Sequence, residues 1–169
     1  MSLLLDALAY AHILSAVAWL GGGILTGFVV GPNLMKLSPQ ARLEFNAKVL
    51  PRVLRFVQAA IGATFLFGLV FFYELFNGSF STLSATSQGK DIYAGIVLGV
   101  LAAIVAWSVT FPSFNKVVKL SEEALKSTPP SPSSEMAKYG GRARMGALVG
   151  MVLLLLALAM MVAAGAAGF

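Results

Sequence analysis

The chain contains no cysteine and a single histidine, and only 11% of its 169 residues are charged. The absence of cysteine excludes disulfides, thiolate metal sites, iron–sulfur clusters and cysteine nucleophiles within the chain. It also has no Walker loop, no HExxH and no GxSxG motif. Soluble domains carry about 25% charged and roughly 45–50% apolar residues, whereas 58% of this chain is hydrophobic. The composition therefore nearly excludes a water-soluble fold.

Four stretches without charge separate the charged residues: 7–35, 56–73, 92–115 and 145–169. A bilayer core about 30 Å thick is crossed by a helix of about 20 residues, so each stretch is long enough or nearly so. The sequence predicts an all-α integral membrane four-helix bundle, with residues 1–169 forming one transmembrane domain. The predicted spans cover about 5–31, 54–76, 91–112 and 145–167.

Basic residues are concentrated in the loops between spans one and two and between spans three and four. Eleven of the 12 lie there, and only Lys90 lies elsewhere. The positive-inside rule then places both basic loops in the cytoplasm and both termini outside a plasma membrane. Contact with the lipid bilayer explains these loops better than nucleic-acid binding. Because the first basic residue, Lys36, follows span one, we expect that span to be retained rather than cleaved as a signal peptide.

The loops contain local signals for secondary structure. Ser38 can cap a short helix that begins at Pro39. Proline and serine are frequent after residue 126, and the sequence predicts a flexible cytoplasmic linker over 127–139. A proline and a lysine close span one at Pro32 and span three at Pro112 in the same way, which fits two repeated helical hairpins but also chance.

Glycines recur every fourth residue in span one, at Gly23, Gly27 and Gly31. Shorter series occur in span three, at Gly95 and Gly99, and in span four, at positions 146 and 150. In lipid, association of helices relies on close van der Waals contact at small residues. The sequence therefore predicts that these glycines lie at helix–helix contacts.

His12 lies within span one, on a face shared with Ala9, Ala16 and Trp19. A polar group in the membrane is costly without a partner, so the imidazole should face the bundle. By helical rise, Met160 and Met161 of span four lie at a similar depth. Imidazole and thioether together suit haem iron or copper, although a hydrogen-bonded histidine and methionine core packing remain alternatives.

Acidic residues lie near the expected outer ends of the spans, at Asp6, Glu74 and Asp91. They are interpreted either as an entry site for a cation or as ordinary interfacial residues. Because four helices enclose little volume, transport through this chain would require a homo-oligomer or a larger membrane complex.

The segment from Ala11 to Gly23, AHILSAVAWLGGG, followed by Pro32, resembles the first helix of CopD-like membrane proteins. It is also similar to HemJ, a haem-binding protoporphyrinogen oxidase. The resemblance implies that His12 is a haem or metal ligand and that Trp19, Gly21 and Gly22 form a close-packed segment beside it. HemJ-like proteins pair the histidine with a lysine inside the third helix, whereas Lys90 lies at the outer mouth of that helix.

The leading hypothesis is a membrane protein that binds haem b or copper through His12 and has a handling or redox role. Trp19, Gly22, Met160 and Met161 complete the predicted cofactor-binding residues, and His12 and Met161 the metal ligands. The alternatives are an enzyme of porphyrin oxidation, a cofactor-free scaffold or subunit, and a small transporter acting as an oligomer.

Overall fold

The computed structural model describes residues 3–127 and 129–166. Within these residues the secondary structure is helical, and four helices are long and apolar enough to cross a membrane. The predicted all-α four-helix bundle is thus confirmed, and the helices indicate an integral membrane protein. The helical segments are Leu3–Ile24, Leu25–Val30 (π), Gly31–Leu34, Pro39–Lys48, Leu50–Phe76, Phe80–Ser84, Ser87–Val105, Ala106–Thr110 (π), Phe111–Ala124 and Ser134–Ala166.

Four of these runs form the spans. Span one is Leu3–Leu34, span two is Leu50–Phe76, span three is Ser87–Ala124 and span four is Ser134–Ala166. All four helices begin before the spans that hydropathy predicts, and the first and third also end after them. The reason is that these helices continue beyond the apolar stretches into the polar ends of the molecule. The predicted end of span four, residue 167, lies outside the described residues.

The linker prediction of 127–139 is wrong for its second half, which is helical from Ser134. Ser133 explains the start, because its hydroxyl accepts a hydrogen bond from the backbone N–H of Met136 at 3.2 Å. The Ser38 cap is confirmed by the same geometry, with the Ala41 N–H donating to the Ser38 hydroxyl at 3.3 Å.

Spans one and three both contain a π-helical segment that ends directly before a Gly-Pro or Phe-Pro step. In span one the N–H of Gly31 bonds to the carbonyl of Thr26, and in span three the N–H of Phe111 bonds to that of Ala106. Proline has no N–H to donate and crowds the preceding turn, so the helix widens ahead of Pro32 and Pro112. The two halves of the chain therefore share one more local feature than the sequence predicted.

Span one packs mainly on span two, and span three mainly on span four. Trp19, Ile61, Ala102 and Leu154, one from each span, belong to a shared apolar core. The bundle is thus two antiparallel pairs of helices that meet at this core.

The glycine prediction is correct only for some positions. A Cβ at Gly95 would lie 3.0 Å from Cγ of Met161, and one at Gly146 would lie 2.7 Å from Oγ1 of Thr110. These glycines do permit close approach of spans three and four. At Gly23 and Gly27, by contrast, a Cβ would have no neighbour within 4 Å. These two positions of the span-one series therefore border open space and not a neighbouring helix.

Candidate cofactor site around His12

His12 faces the neighbouring helix, as its position in the predicted stripe indicates. Its side chain is half-buried, Ala9 and Ala16 beside it are half-buried, and Trp19 two turns further along is buried. On the opposite face of span one, Ile13 and Leu14 are exposed, as expected for a surface toward lipid. The single histidine is thus held against protein and not against lipid.

The imidazole is fixed by the backbone of span two. Nδ1 of His12 lies 2.8 Å from the carbonyl oxygen of Thr64. A carbonyl oxygen can only accept, so Nδ1 must carry the hydrogen and donate it. In the neutral ring this leaves the lone pair on Nε2, which is the atom a metal ion would bind.

Gly68 makes this approach sterically feasible. A Cβ at position 68 would lie 2.6 Å from Cε1 and 2.7 Å from Nδ1 of His12, closer than real Cβ atoms come to a neighbour. The ring therefore lies directly over the backbone of span two, in space that any other residue type would occupy. Thr64 turns its own hydroxyl away, donating to the carbonyl of Ala60 at 2.8 Å.

Trp19 and Gly22 lie on the same side of span one, closer to the end of the bundle that carries the basic loops. The indole of Trp19 packs against the ring of Phe65, with centroids 6.3 Å apart and the planes inclined by 46°. A Cβ at Gly22 would lie 3.2 Å from Cγ2 of Val57. These contacts make Trp19 and Gly22 part of the interface between spans one and two, below the imidazole.

The predicted methionine partners lie on span four. Both Met160 and Met161 are half-buried. Met161 packs with its Cγ and Cε against Gly95 of span three, whereas His12 packs against span two. His12 and Met161 therefore contact different helices. A joint role of His12 with Met160 or Met161 as metal ligands stays a prediction.

No group of three or more histidine, aspartate or glutamate side chains that could hold a metal ion is found in residues 3–127 and 129–166. Asp6, Glu74 and Lys90 are exposed, and Asp91 is half-buried. The interpretations of the acidic residues as a cation entry site and as ordinary interfacial residues both stay predictions.

Sequence reasoning missed Thr64 and Gly68, the two residues that hold His12. A signal for them exists, because Ala60, Thr64 and Gly68 recur every fourth residue on one face of span two. Such a series of small residues marks a face that another helix can approach closely. Read together with His12, it would have identified the helix on which the imidazole packs.

Comparison with known proteins adds no further assignment. No family model, no curated protein and no solved structure matches this chain.

Proposed function

We propose that this protein is an integral membrane protein of the plasma membrane, with its basic loops in the cytoplasm, that binds haem b through Nε2 of His12. Its role would be redox use or handling of the haem. The observation that supports this proposal is the 2.8 Å contact between Nδ1 of His12 and the carbonyl of Thr64. A histidine that ligates a metal almost always donates its other ring N–H to a carbonyl or carboxylate.

The residues around His12 fit haem better than a bare copper ion. A porphyrin brings four nitrogen ligands of its own, so a single imidazole suffices, as in the proteins that hold haem by one proximal histidine. A copper ion needs several protein ligands, and the described residues contain no cluster of histidine and acidic side chains to supply them. Copper, completed by Met160 or Met161, therefore ranks second.

His12 would hold the haem iron through Nε2, and the haem would supply one-electron redox chemistry. The Thr64 carbonyl fixes the ring orientation and, by accepting the Nδ1 hydrogen, increases the electron density available at Nε2. Gly68 leaves the space that allows the ring to lie against the backbone of span two. Together these two residues pre-orient the ligand before any cofactor arrives.

A cofactor-free scaffold or subunit is the second candidate, and one observation favours it. The bond to Thr64 and the fit over Gly68 already satisfy and pack the imidazole, which a purely structural histidine also requires. An enzyme of porphyrin oxidation would need the haem as well, so it is a special case of the first candidate.

The test is an absorption spectrum and metal analysis of the protein purified in mild detergent, oxidised and reduced, with and without added hemin. We expect a Soret band that His12→Ala abolishes and that Lys90→Ala, a substitution at an exposed residue outside the site, leaves unchanged. Stoichiometric copper that His12→Ala removes would replace haem by copper. A colourless, metal-free protein that takes up neither group would contradict the proposal and favour the scaffold.

A further inference from the structure

A cavity of about 600 Å³ lies between the four spans in the half of the bundle nearest the basic loops. Trp19 and Leu154 line its deep end, while Met136, Arg42 and Arg144 line the end near the loops. Its volume falls within the range of roughly 300–1,000 Å³ typical of small-molecule sites. His12, Thr64 and Gly68 are not among its lining residues, so the cavity does not contain the imidazole, although Trp19 and Gly22 form part of its wall.

The cavity is elongated along the bundle. Its lining on span one runs from Trp19 to Met35, a distance of about 24 Å at 1.5 Å per residue. One leaflet of a bilayer core is about 15 Å deep, half of the roughly 30 Å total. The cavity is thus long enough for an extended acyl chain together with part of a headgroup.

The walls are apolar and unusually rich in glycine. Gly23 and Gly27 on span one and Gly140 on span four line the cavity, and a Cβ at each would have no neighbour within 4 Å. Protein interiors are close-packed, with few voids larger than a water molecule. An apolar gap of this size between helices therefore calls for an apolar occupant.

The charge at the mouth is of one sign. Arg42 and Arg144 are the charged residues of the lining. Within the described residues, Nε of Arg42 is buried without a hydrogen-bond partner, and Nη1 of Arg42 donates to the sulfur of Met35 at 3.5 Å. In the part of the chain that the structure describes, the one ion pair is Lys48 with Glu44, so neither arginine is neutralised by an acid.

We propose that this cavity binds one molecule of an anionic lipid. The acyl chain lies along the glycine walls towards Trp19, and the phosphate accepts hydrogen bonds from Arg42 at the mouth, with Arg144 contributing charge. Basic pockets between membrane helices bind anionic headgroups in this manner. The site differs from general attraction of the basic loops to lipid, because it holds one molecule per chain in a defined position.

The test is native mass spectrometry of the full chain in neutral detergent, titrated with phosphatidylglycerol or with phosphatidylcholine of the same acyl chains. We expect one tightly bound phosphatidylglycerol per chain and weaker binding of phosphatidylcholine. Arg42→Gln should weaken phosphatidylglycerol binding about fivefold, as expected for loss of roughly 1 kcal/mol of lipid attraction per arginine. Arg55→Gln changes net charge equally at an exposed residue outside the lining and should have little effect.

Filling the cavity gives a second, independent test. Gly27→Leu places a side chain in the open space beside Gly27 and should abolish the tight phosphatidylglycerol complex. Gly62→Leu is its control, because Gly62 is exposed, lies outside the lining and has no neighbour within 4 Å of an added Cβ. His12→Ala should not alter lipid binding, which separates this proposal from the haem proposal.

Three results would overturn the lipid site. Equal binding of the two lipids would remove the role of the arginines. Equal losses in Gly27→Leu and Gly62→Leu would show that the bound lipid is annular. Displacement of phosphatidylglycerol by hemin, together with loss of hemin binding in Gly27→Leu, would make a porphyrin the occupant instead.

Discussion

Gly68→Ala tests the contact that defines the His12 site, because the added methyl would lie 2.6 Å from Cε1 of His12. Ordinary contact begins near 3.4 Å, so the ring must move by the better part of an ångström and its bond to Thr64 is lost. Overpacking of this kind costs about 1–3 kcal/mol, and a hydrogen bond between membrane helices contributes about 0.6–1.7 kcal/mol. Alanine returns up to about 1 kcal/mol of helix propensity. The expected net destabilisation is about 1–4 kcal/mol.

The assay is reversible unfolding in mixed micelles, with Gly62→Ala as the matched control in the same helix. At Gly62 an added Cβ would have no neighbour within 4 Å, so we expect no loss of stability and a gain of up to about 1 kcal/mol from helix propensity. The decisive measurement is a double-mutant cycle with His12→Ala. Without the imidazole, Gly68→Ala should behave like Gly62→Ala, which gives a coupling energy of about 2 kcal/mol.

A coupling energy below about 0.5 kcal/mol would refute this reasoning, since residues in contact normally exceed that value. So would a Gly68→Ala protein as stable as Gly62→Ala. Either result would mean that the imidazole does not lie over the backbone of span two, and the argument from its Nδ1 hydrogen bond would fail with it.

Two further predictions concern the end of the bundle near the basic loops. Gly146→Ala would place a Cβ 2.7 Å from Oγ1 of Thr110 and should destabilise the protein by about 1–3 kcal/mol. Gly140→Ala should be neutral or stabilising in the same unfolding assay, because an added Cβ there has no neighbour within 4 Å. Equal effects of the two substitutions would contradict the close packing of spans three and four. The hydrogen bond from Gln40, and next the positive charge of Lys48, lower the pKa of Glu44. A carboxyl group whose pKa is lowered by folding stabilises the protein fully at a pH above its pKa in the unfolded chain. This stability is lost as the pH falls through its pKa in the folded protein. Gln40→Ala should therefore raise the pKa of Glu44 in an NMR titration, and an unchanged value would exclude this hydrogen bond in solution.

Hydropathy and helix-capping signals predicted most of the fold. Four uncharged stretches were sufficient to predict four helices, because the bilayer leaves few other structures for so apolar a chain. Ser38 predicted its helix start because a cap acts within three residues. The start at Ser134 was missed because the run of prolines before it hid an equivalent cap at Ser133.

The site was harder to predict, because it depends on which helices touch. Helical periodicity correctly placed His12 on an inward face, but periodicity within one helix says nothing about the partner helix. The choice of Met160 and Met161 rested on depth alone, whereas Met161 packs against Gly95 of span three. The glycine series in span one was misread for the same reason, since a small-residue face can border a gap as well as a neighbour.

Two local distortions of the helices lie beside that gap. Spans one and three each widen into a π-helical turn that ends one residue short of Pro32 or Pro112. Residues of both turns line the cavity, among them Thr26 and Thr110. A widened turn changes the direction of the helix that follows it. The gap therefore lies beside two such turns, which occupy corresponding places in the two halves of the chain.

Along span one, Trp19, which packs against Phe65, lies between His12 and the rest of the cavity wall. His12 lies on one side of this contact, with Nε2 left free by the Thr64 carbonyl, and the arginine-capped cavity begins on the other side at Trp19 itself. Seven residues separate His12 from Trp19, which is about 10 Å of helix. At that separation substitutions without shared partners act nearly independently. We therefore expect His12→Ala to lose haem and to keep lipid binding, and Gly27→Leu to lose lipid and to keep the haem spectrum. Together, these two results would assign one ligand to each side of this aromatic contact.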